Sequence, residues 1–478
     1  MSQLGNFKAA PKFRLRLNVG GGFDIPTGTY LKGKNGEAVL NGGVPQVTGI
    51  GGRGNTYKST LMMSWMLTII ARYFKAEGIL LDTEETLDYA RLVQLANILP
   101  VIGNGMLEEV GRFVLTSQDQ MSGSKYFDVF RKVMDERAKS PKDFQGTTPF
   151  LDSKGSTIKV FNPFVGGIDS FSGMNIEALE KLYNDNEVGD SGLNVEAMKS
   201  AAAKSQMVIQ LPGVLQKGGG FMFMSAHLGD EIKMDQYAPS TKKLAFLKGD
   251  QKFKRVPENW TFLTGICWVT TSAQVMKNQS TKAPEYPRNK EDDLKGDTDL
   301  QLVQLQCTRN KFGPTGLIHE VIVSQRDGML PGLSAFHYIK TRGRFGLGGN
   351  DKNYFSVLCP DVAMSRTTVR AKINEHPKVC RALIICQELL QMNEMWHQLP
   401  MGAIPDPQSL YDVLKANYDW DKLLDTRDYW MFEEDITPDT LPFLSTWDLL
   451  RMYHSLNGTL DLLPGWDAYH PYWYPKSS

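Results

Sequence analysis

One short segment, GRGNTYKST at residues 52–60, constrains the fold of this chain more than any other. A strand-like run, VPQVTGI, precedes it at residues 44–50, and an apolar, helix-favouring run, LMMSWMLTIIARYF, follows it. Glycines between a strand and a helix let backbone N–H groups turn inward, where the positive end of the helix attracts an anion. The pattern therefore predicts the opening unit of a parallel α/β sheet, with a phosphate-binding loop at its edge.

The residue types in this loop fit the chemistry of ATP. The general pattern is G-x-x-x-x-G-K-[ST], in which the lysine reaches the β- and γ-phosphates and the hydroxyl binds Mg²⁺. Lys58 and Ser59 take these places, but Tyr57 stands where the pattern has glycine, so its side chain must point away from the phosphates. A glycine-rich turn without nucleotide is the alternative. The predicted ATP-binding residues here are Gly52, Arg53, Gly54, Asn55, Thr56, Tyr57, Lys58, Ser59 and Thr60.

A site for Mg²⁺ and a nucleotide also needs acids at the ends of neighbouring buried strands. Asp169 ends the strand-like FNPFVGGID and is the predicted Mg²⁺ ligand beside Ser59. Glu84 lies just past the strand-like GILLD and is the predicted catalytic base for water, acting with Lys58, while Glu85 is its competitor. Taken alone, Asp169 or Glu84 would more often be an ordinary acid at the end of a strand. Their order in the chain after the loop favours a catalytic role.

Further strand patterns complete the predicted sheet. Residues 218–227 and 260–272 form apolar runs, and residues 300–310 and 317–325 indicate a hairpin around KFGPTG. These patterns predict an α/β fold, a P-loop ATPase core with a mostly parallel central sheet. The sequence after TRGRFGLGGNDKN has a helical pattern. The predicted division is an N-terminal segment for oligomerisation and strand lead-in at 1–45, the ATPase core at 46–345, and a helical, acidic C-terminal domain at 346–478.

Length and charge narrow the class of protein. The 478 residues are too many for one hydrophobic core, and no run approaches the roughly 18 apolar residues of a membrane span. We expect no membrane partner and a cytoplasmic location. The net charge is zero, yet residues 406–478 hold 13 acidic and 5 basic residues. A basic body with an acidic tail favours nucleic-acid binding, and a solvated acidic face is the alternative.

Several segments together resemble the RecA family, and within it the UvsX-like strand-exchange proteins of bacteriophages. They are the loop GRGNTYKST, then LDTEETLDYAR, IDSFSGM and NEVGDSG. UvsX proteins also replace the last loop glycine with an aromatic residue, as Tyr57 does. The resemblance implies that Glu84 is the catalytic glutamate and that Asp88 lies near the adenine, with Tyr89 as a candidate for stacking on it. NEVGDSG, at residues 186–192, matches a segment near the first DNA-binding loop.

The resemblance also assigns residues beyond the loop. His227 ends the strand FMFMSAH, where UvsX proteins place a histidine as γ-phosphate sensor, although a buried core histidine is the alternative. The basic stretch that follows lies where RecA proteins place their second DNA loop, and Phe246 and Phe253 between its cations could stack on bases. A solvated charged loop is the alternative. The predicted DNA-binding residues are Lys242, Lys243, Lys248, Lys252, Lys254 and Arg255.

Arg309 and Lys311 occupy alternating positions at a strand end, so their side chains should point the same way. In RecA proteins two lysines here reach the γ-phosphate of the neighbouring subunit, which implies trans ATP contacts for this pair. The phrase NKFGPTG equally resembles the DnaB-type helicases.

Together with the loop and its acids, the resemblance implies an ATP- and Mg²⁺-dependent recombinase that forms helical filaments on single-stranded DNA and pairs it with duplex DNA. Loader or mediator proteins and single-strand-binding proteins are expected partners. A hexameric DnaB-like helicase motor is the first alternative. A nucleotide-binding interaction protein with weak ATPase activity is the second, because of Tyr57.

Overall fold

The computed structural model describes residues 13–96, 111–176, 192–230, 246, 251–289, 296–350 and 352–475, without the side chains of 192–199. Its strands are β1 (Thr29–Lys32), β2 (Ala38–Asn41), β3 (Val47–Gly52), β4 (Glu77–Asp82), β5 (Phe113–Ser117), β6 (Gln145–Leu151), β7 (Thr157–Phe161), β8 (Phe164–Asp169), β9 (Gly220–Asp230), β10 (Gln251–Phe253), β11 (Ile266–Val275), β12 (Leu300–Asn310), β13 (Ile318–Ser324), β14 (Gly328–Met329), β15 (Leu347–Gly349), β16 (Tyr354–Ser356) and β17 (Cys359–Met364).

The helices flank these strands and fill the C-terminal region. They are α1 (Lys58–Arg72), α2 (Tyr89–Ala96), α3 (Gly123–Lys139), α4 (Pro141–Phe144), α5 (Gly192–Gly218), α6 (Glu258–Leu263), α7 (Pro331–Thr341), α8 (Val369–Glu375), α9 (Pro377–Met395), α10 (Pro407–Asn417), α11 (Trp420–Leu424) and α12 (Thr446–Leu456), with two 3₁₀ turns at Glu433–Asp435 and Leu460–Leu462.

The central sheet has the strand order β14-β13-β12-β11-β3-β9-β8-β4-β5, and β10 pairs with the end of β9. The strands from β11 to β5 in this order are all parallel to their neighbours, whereas β12, β13, β14 and β10 pair antiparallel. The predicted α/β class with a mostly parallel central sheet and a helical C-terminal region is therefore confirmed. The predicted hairpin around KFGPTG is the β12–β13 pair.

Helix α1 lies against the centre of this sheet. Its side chains from Leu61 to Ala71 are buried around the whole helix, as expected for a helix that is apolar on every side. Trp65 has no exposed surface and packs edge-on against Phe23 at 5.1 Å between ring centroids. Because α1 is fixed in the core, the loop that precedes it has a fixed position at the edge of the sheet.

Three local features differ from the sequence-based expectations. Residues 260–263, predicted as strand, belong to helix α6, because Trp260 folds back onto Phe253 and Gly49 rather than extending β11. The C-terminal region contains the antiparallel sheet β15–β16–β17 besides its helices. The strand patterns also did not predict the β6–β7 hairpin, on which Thr147 donates hydrogen bonds to Glu434 of the C-terminal region.

The N-terminal and C-terminal regions pack on each other as well as on the sheet. The backbone N–H of Ala38 on β2 donates to both carboxylate oxygens of Asp448 at 3.0 Å. Tyr30 on β1 stacks on Trp447 at 5.5 Å between ring centroids. The division at residues 45 and 345 stays a prediction. Within the described residues, no helix is both long and apolar enough to cross a membrane.

Candidate functional site

The predicted site lies where the carboxyl ends of adjacent parallel strands meet. Gly52 at the end of β3 pairs in register with His227 on β9, and Asp82 on β4 pairs with Asp169 on β8. In the parallel part of the sheet these ends lie at one edge, beside the start of α1 at Lys58. Residues that are far apart in sequence therefore converge here, as the strand patterns predicted.

The backbone of the loop has two features that are typical of anion-binding loops, a close backbone approach at a glycine and left-handed residues. A Cβ atom on Gly52 would lie 2.0 Å from Thr270 Oγ1, so only glycine fits at this close approach. Thr270 also holds Thr56 through a hydroxyl–hydroxyl contact of 2.6 Å. Asn55 and Tyr57 have φ angles of 56° and 60°, and left-handed residues of this kind turn successive N–H groups toward one side.

Tyr57 has a left-handed backbone conformation, which glycine adopts most easily. Its ring is partly buried against the hydrophobic cluster around α1. Burial raises the pKa of its phenol, and the negative charge of Asp299 adds to the effect. The left-handed conformation costs a non-glycine residue about 1 kcal/mol.

Lys58 lies among acids at the base of the loop. It is 6% exposed, and burial lowers the pKa of its ammonium group, while the charges of Asp169 and Glu84 oppose that change. Burial raises the pKa of Asp169, and hydrogen bonds from the hydroxyls of Ser225 and Ser59 oppose it. The Ser225 Oγ to Asp169 Oδ1 distance is 2.5 Å. Ser59 and Asp169, the predicted pair of metal ligands, thus lie together beside the lysine.

The structure separates Glu84 from its competitor Glu85. Glu84 Oε1 lies 2.6 Å from His227 Nε2. Burial would raise the pKa of Glu84, but the hydrogen bond and charge of His227, with smaller effects of Ser170 and Lys58, hold it below its ordinary value. Glu85 instead accepts a hydrogen bond from the backbone of Asp119, at 3.1 Å from the nitrogen. Glu84 is thus the acid beside the loop.

The donor set fits a magnesium nucleotide. A hydroxyl from Ser59 and a carboxylate from Asp169 are the hard oxygen ligands that Mg²⁺ takes alongside phosphate oxygens and water. Within the described ranges, no group of three or more His, Cys, Asp or Glu side chains could hold a metal ion by itself. Mg²⁺ in nucleotide sites usually takes one or two protein oxygens and fills its other positions with phosphate oxygens and water.

Of the comparisons with known proteins, the one with solved structures finds similar proteins. No family model matches the sequence, and no curated protein does. Among solved structures, the chain is similar to the RadB recombinase, with a TM-score of 0.31 and 16% sequence identity over 60% of this chain and 92% of that one.

The residues predicted near the adenine lie at the start of α2. Asp88 Oδ1 accepts a hydrogen bond from the backbone of Arg91, at 2.8 Å from the nitrogen, and so caps the helix. The guanidinium of Arg91 reaches the carbonyl oxygen of Arg326 at 3.0 Å. Tyr89 is partly buried against the cluster around α1. The adenine contact of Asp88 and the stacking role of Tyr89 stay predictions.

The last part of the basic stretch forms a β-hairpin next to His227. Strand β10 pairs with the end of β9, and the backbone N–H of Lys254 donates to the carbonyl oxygen of His227 at 2.8 Å. Lys252, Lys254 and Arg255 are exposed. Outside the described residues lie Lys242, Lys243, Lys248 and the segment NEVGDS at 186–191.

One aromatic residue of this stretch has a different role from the predicted one. Phe253 is 9% exposed and packs on Trp260 at 4.8 Å between ring centroids, and a Cβ atom on Gly51 would touch it. The expectation that it stacks on bases is wrong for this conformation, because alternation on β10 directs Phe253 inward and its two lysine neighbours outward. Phe246 is partly buried and lies beside Gly316.

Arg309 and Lys311 do not approach the loop of their own chain. Arg309 pairs in register with Cys267 on β11, level with Gly49 and so three residues before Gly52. Its guanidinium donates to the carbonyl oxygens of Thr264 at 2.9 Å and Phe262 at 2.7 Å. Burial and the nearby charge of Arg309 lower the pKa of Lys311. Both cations therefore lie toward the opposite edge of the sheet, and their trans role stays a prediction.

Sequence reasoning missed three polar partners of the site. Ser225 and Thr270 face Asp169 and the loop, but a serine or threonine inside an apolar strand has no distinctive pattern. Asp230, which binds Arg53, ends β9 three residues after His227. A signal for Asp230 exists, since acids at or just past strand ends also indicate Glu84 and Asp169.

Proposed function

We propose that this chain is an ATP-dependent DNA strand-exchange protein of the RecA type, similar to the UvsX proteins. The observation that supports it best is the contact between Glu84 and His227 beside Lys58 and Asp169. It places a candidate base for water and a candidate sensor of the γ-phosphate in one hydrogen-bonded pair. A loop that only binds phosphate would not need either residue.

Lys58, Ser59 and Asp169 would hold ATP and Mg²⁺, which supply the phosphoryl group and the neutralisation of its charge. Glu84 acts on the attacking water. Its pKa is held below the ordinary value, so the carboxylate is ionised at neutral pH and can accept a proton or orient a water molecule. His227 fixes the orientation of Glu84 through Nε2. Lys58 stabilises negative charge as it develops on the phosphates.

DNA binding follows from the connection between His227 and the hairpin. The carbonyl oxygen of His227 accepts the N–H of Lys254, so movement of this histidine is transmitted to the base of the basic stretch. Lys252, Lys254 and Arg255 are exposed cations at that base, and cations bind phosphates without regard to sequence. ATP binding then increases the affinity of the protein for single-stranded DNA, and hydrolysis decreases this affinity.

Assembly follows from the position of Arg309 and Lys311. In a head-to-tail arrangement the edge that bears them meets the loop of the next protomer, and ATP lies between the two. A heterologous contact that does not close produces a helical filament. If the same contact closes, it produces a ring, so a hexameric helicase motor is the second candidate function.

The test is ATP hydrolysis with and without single-stranded DNA, followed by negative-stain microscopy of the same samples. We expect single-stranded DNA to stimulate ATP turnover and the protein in these samples to form helical filaments. Stimulated turnover on closed rings would assign the helicase motor instead. Absence of both turnover and assembly would contradict the proposal and favour a nucleotide-binding interaction protein with weak ATPase activity.

A further inference from the structure

An ion pair joins the loop to strand β9, and neither of its residues is one of the candidate catalytic groups. Arg53 Nη2 lies 2.7 Å from Asp230 Oδ1 and 3.0 Å from Oδ2. Arg53 is the first residue after β3, and Asp230 is the last residue of β9. Because Gly52 and His227 are in register, β9 continues beyond the start of the loop and brings its terminal acid to Arg53.

The two cations of the loop differ in their surroundings. Lys58 is buried and lies near Asp169 and Glu84. Arg53 has an exposed side chain, 57% accessible, and its partner Asp230 is 66% accessible. Ion pairs between such exposed groups are weak, because water and salt screen them. A phosphate chain that enters the loop presents several negative charges and therefore competes well for Arg53.

We propose that Asp230 is a positioning residue, which holds Arg53 at the mouth of the loop and yields it to the phosphates when a nucleotide binds. This inference rests on the proposed function, since it requires the loop to bind a nucleotide. Arg53 then adds a second cation to the phosphate site, and nucleotide binding frees the carboxylate at the base of the basic hairpin. The affinity for nucleotide therefore depends on whether Asp230, at the end of β9, is bound to Arg53.

The experiment measures the affinity of the full chain for a fluorescent, non-hydrolysable ATP analogue with Mg²⁺. Arg53→Gln should weaken binding, because the phosphates lose a cation. Asp230→Asn should tighten binding by about two- to fivefold, the range that an exposed ion pair supports. Asp135→Asn is the matched control, because this partly exposed acid pairs with Lys217 at 3.1 Å on another part of the surface.

The double variant, with Arg53→Gln and Asp230→Asn, decides between competition and general repulsion. If Asp230 acts by holding Arg53, its replacement has no effect once Arg53 is gone. Equal tightening in both backgrounds would overturn the inference, since Asp230 would then merely repel phosphate. Weaker binding in Asp230→Asn would also overturn it, since the acid would then be structural.

Failure of the inference and failure of the proposed function give different results. Lys58→Ala should weaken binding of the analogue in any functional nucleotide loop. If Lys58→Ala has this effect but neither Arg53→Gln nor Asp230→Asn changes the affinity, only the inference fails. If the unmodified chain does not bind the analogue at all, the proposed function and the inference fail together.

Discussion

Glu84 Oε1 and His227 Nε2 lie 2.6 Å apart, although 143 residues separate them and strand β8 lies between their own strands in the sheet. Glu84 follows β4 by two residues, and His227 lies near the end of β9. Strand β8 ends between them at Asp169, so the candidate base, the candidate metal ligand and the candidate sensor follow the strand order at this edge of the sheet. A change at any of these residues is expected to affect the others.

The first prediction concerns the base. Glu84→Gln should reduce ATP turnover by at least about 100-fold, because an amide cannot accept the proton of the attacking water. Nucleotide-dependent DNA binding should persist, since the amide occupies the same volume beside His227. Steady-state hydrolysis and DNA binding measured on one preparation test both points. Glu85→Gln is the control and should hydrolyse ATP at the rate of the unmodified chain. Loss of hydrolysis in Glu85→Gln with normal hydrolysis in Glu84→Gln would assign the base to Glu85.

The second prediction concerns the pH dependence of turnover. His227 helps to hold the pKa of Glu84 below its ordinary value. His227→Phe removes that hydrogen bond and charge, so the pKa of Glu84 rises. A base is inactive when protonated, and the acidic limb of the pH–rate profile should therefore move to higher pH. A profile measured under single-turnover conditions with saturating ATP tests this. An unchanged acidic limb would show that His227 does not control the base.

The sequence predicted that the candidate catalytic residues lie together, because they follow local strand and helix patterns, while their catalytic role stays a prediction. Lys58, Asp169 and Glu84 each lie at or next to the end of a regular element, and parallel strands bring such ends to one edge. Contacts between elements were harder to predict. Nothing local distinguishes Thr270, whose hydroxyl meets Thr56, from other strand threonines. Phe253 shows the same limit, since whether an aromatic residue is buried depends on which strand its own strand joins.

The third prediction concerns DNA binding by the hairpin. Lys252→Glu combined with Lys254→Glu should weaken binding of single-stranded DNA and reduce the slope of log affinity against log salt by roughly one unit for each phosphate that the hairpin no longer binds. Both lysines are exposed while Phe253 between them is buried, so the change should not disturb the core. Binding isotherms at several salt concentrations give the slope. An unaltered slope would show that these lysines do not touch DNA.

The control for this variant reverses two other exposed cations. Lys132 lies on α3 and Lys154 in the β6–β7 turn, both remote in sequence from the hairpin. Lys132→Glu combined with Lys154→Glu changes the net charge equally. An equal decrease of affinity and slope in this control would mean that total charge, rather than the hairpin, determines DNA binding.

The fourth prediction isolates the backbone conformation of Tyr57. Tyr57→Ala and Tyr57→Gly both remove the ring that packs against the cluster around α1. With φ near 60°, alanine retains the conformational cost and glycine does not, so the alanine variant should be less stable by about 1 kcal/mol. Urea denaturation of both variants measures the difference. If the alanine variant is equally stable or more so, the residue does not need a left-handed conformation.

The fifth prediction concerns acid stability through His319 on β13. This side chain is 1% exposed, and its Nε2 lies 2.7 Å from the carbonyl oxygen of Gly21 in the N-terminal segment. Nδ1 is buried and has no hydrogen-bond partner among the described residues, so none of them accepts a second proton from the ring. Burial lowers the pKa of His319 to about 4, with an opposing effect of the bond to Gly21. The folded protein therefore holds the imidazole in its neutral form.

The sign of the pH dependence follows from the lowered pKa. The unfolded chain takes up a proton near pH 6.5, whereas the folded chain does so only near pH 4, so the free energy of unfolding falls as pH decreases between these values. His319→Gln keeps an N–H donor for Gly21 but cannot titrate. Between pH 7 and pH 4.5 it should lose about 2 kcal/mol less stability than the unmodified chain in urea denaturation. His397→Gln, at an exposed histidine, is the control and should lose as much as the unmodified chain. Equal losses in all three proteins would mean that His319 accepts a proton in the folded state, and that the N-terminal segment opens to let it do so.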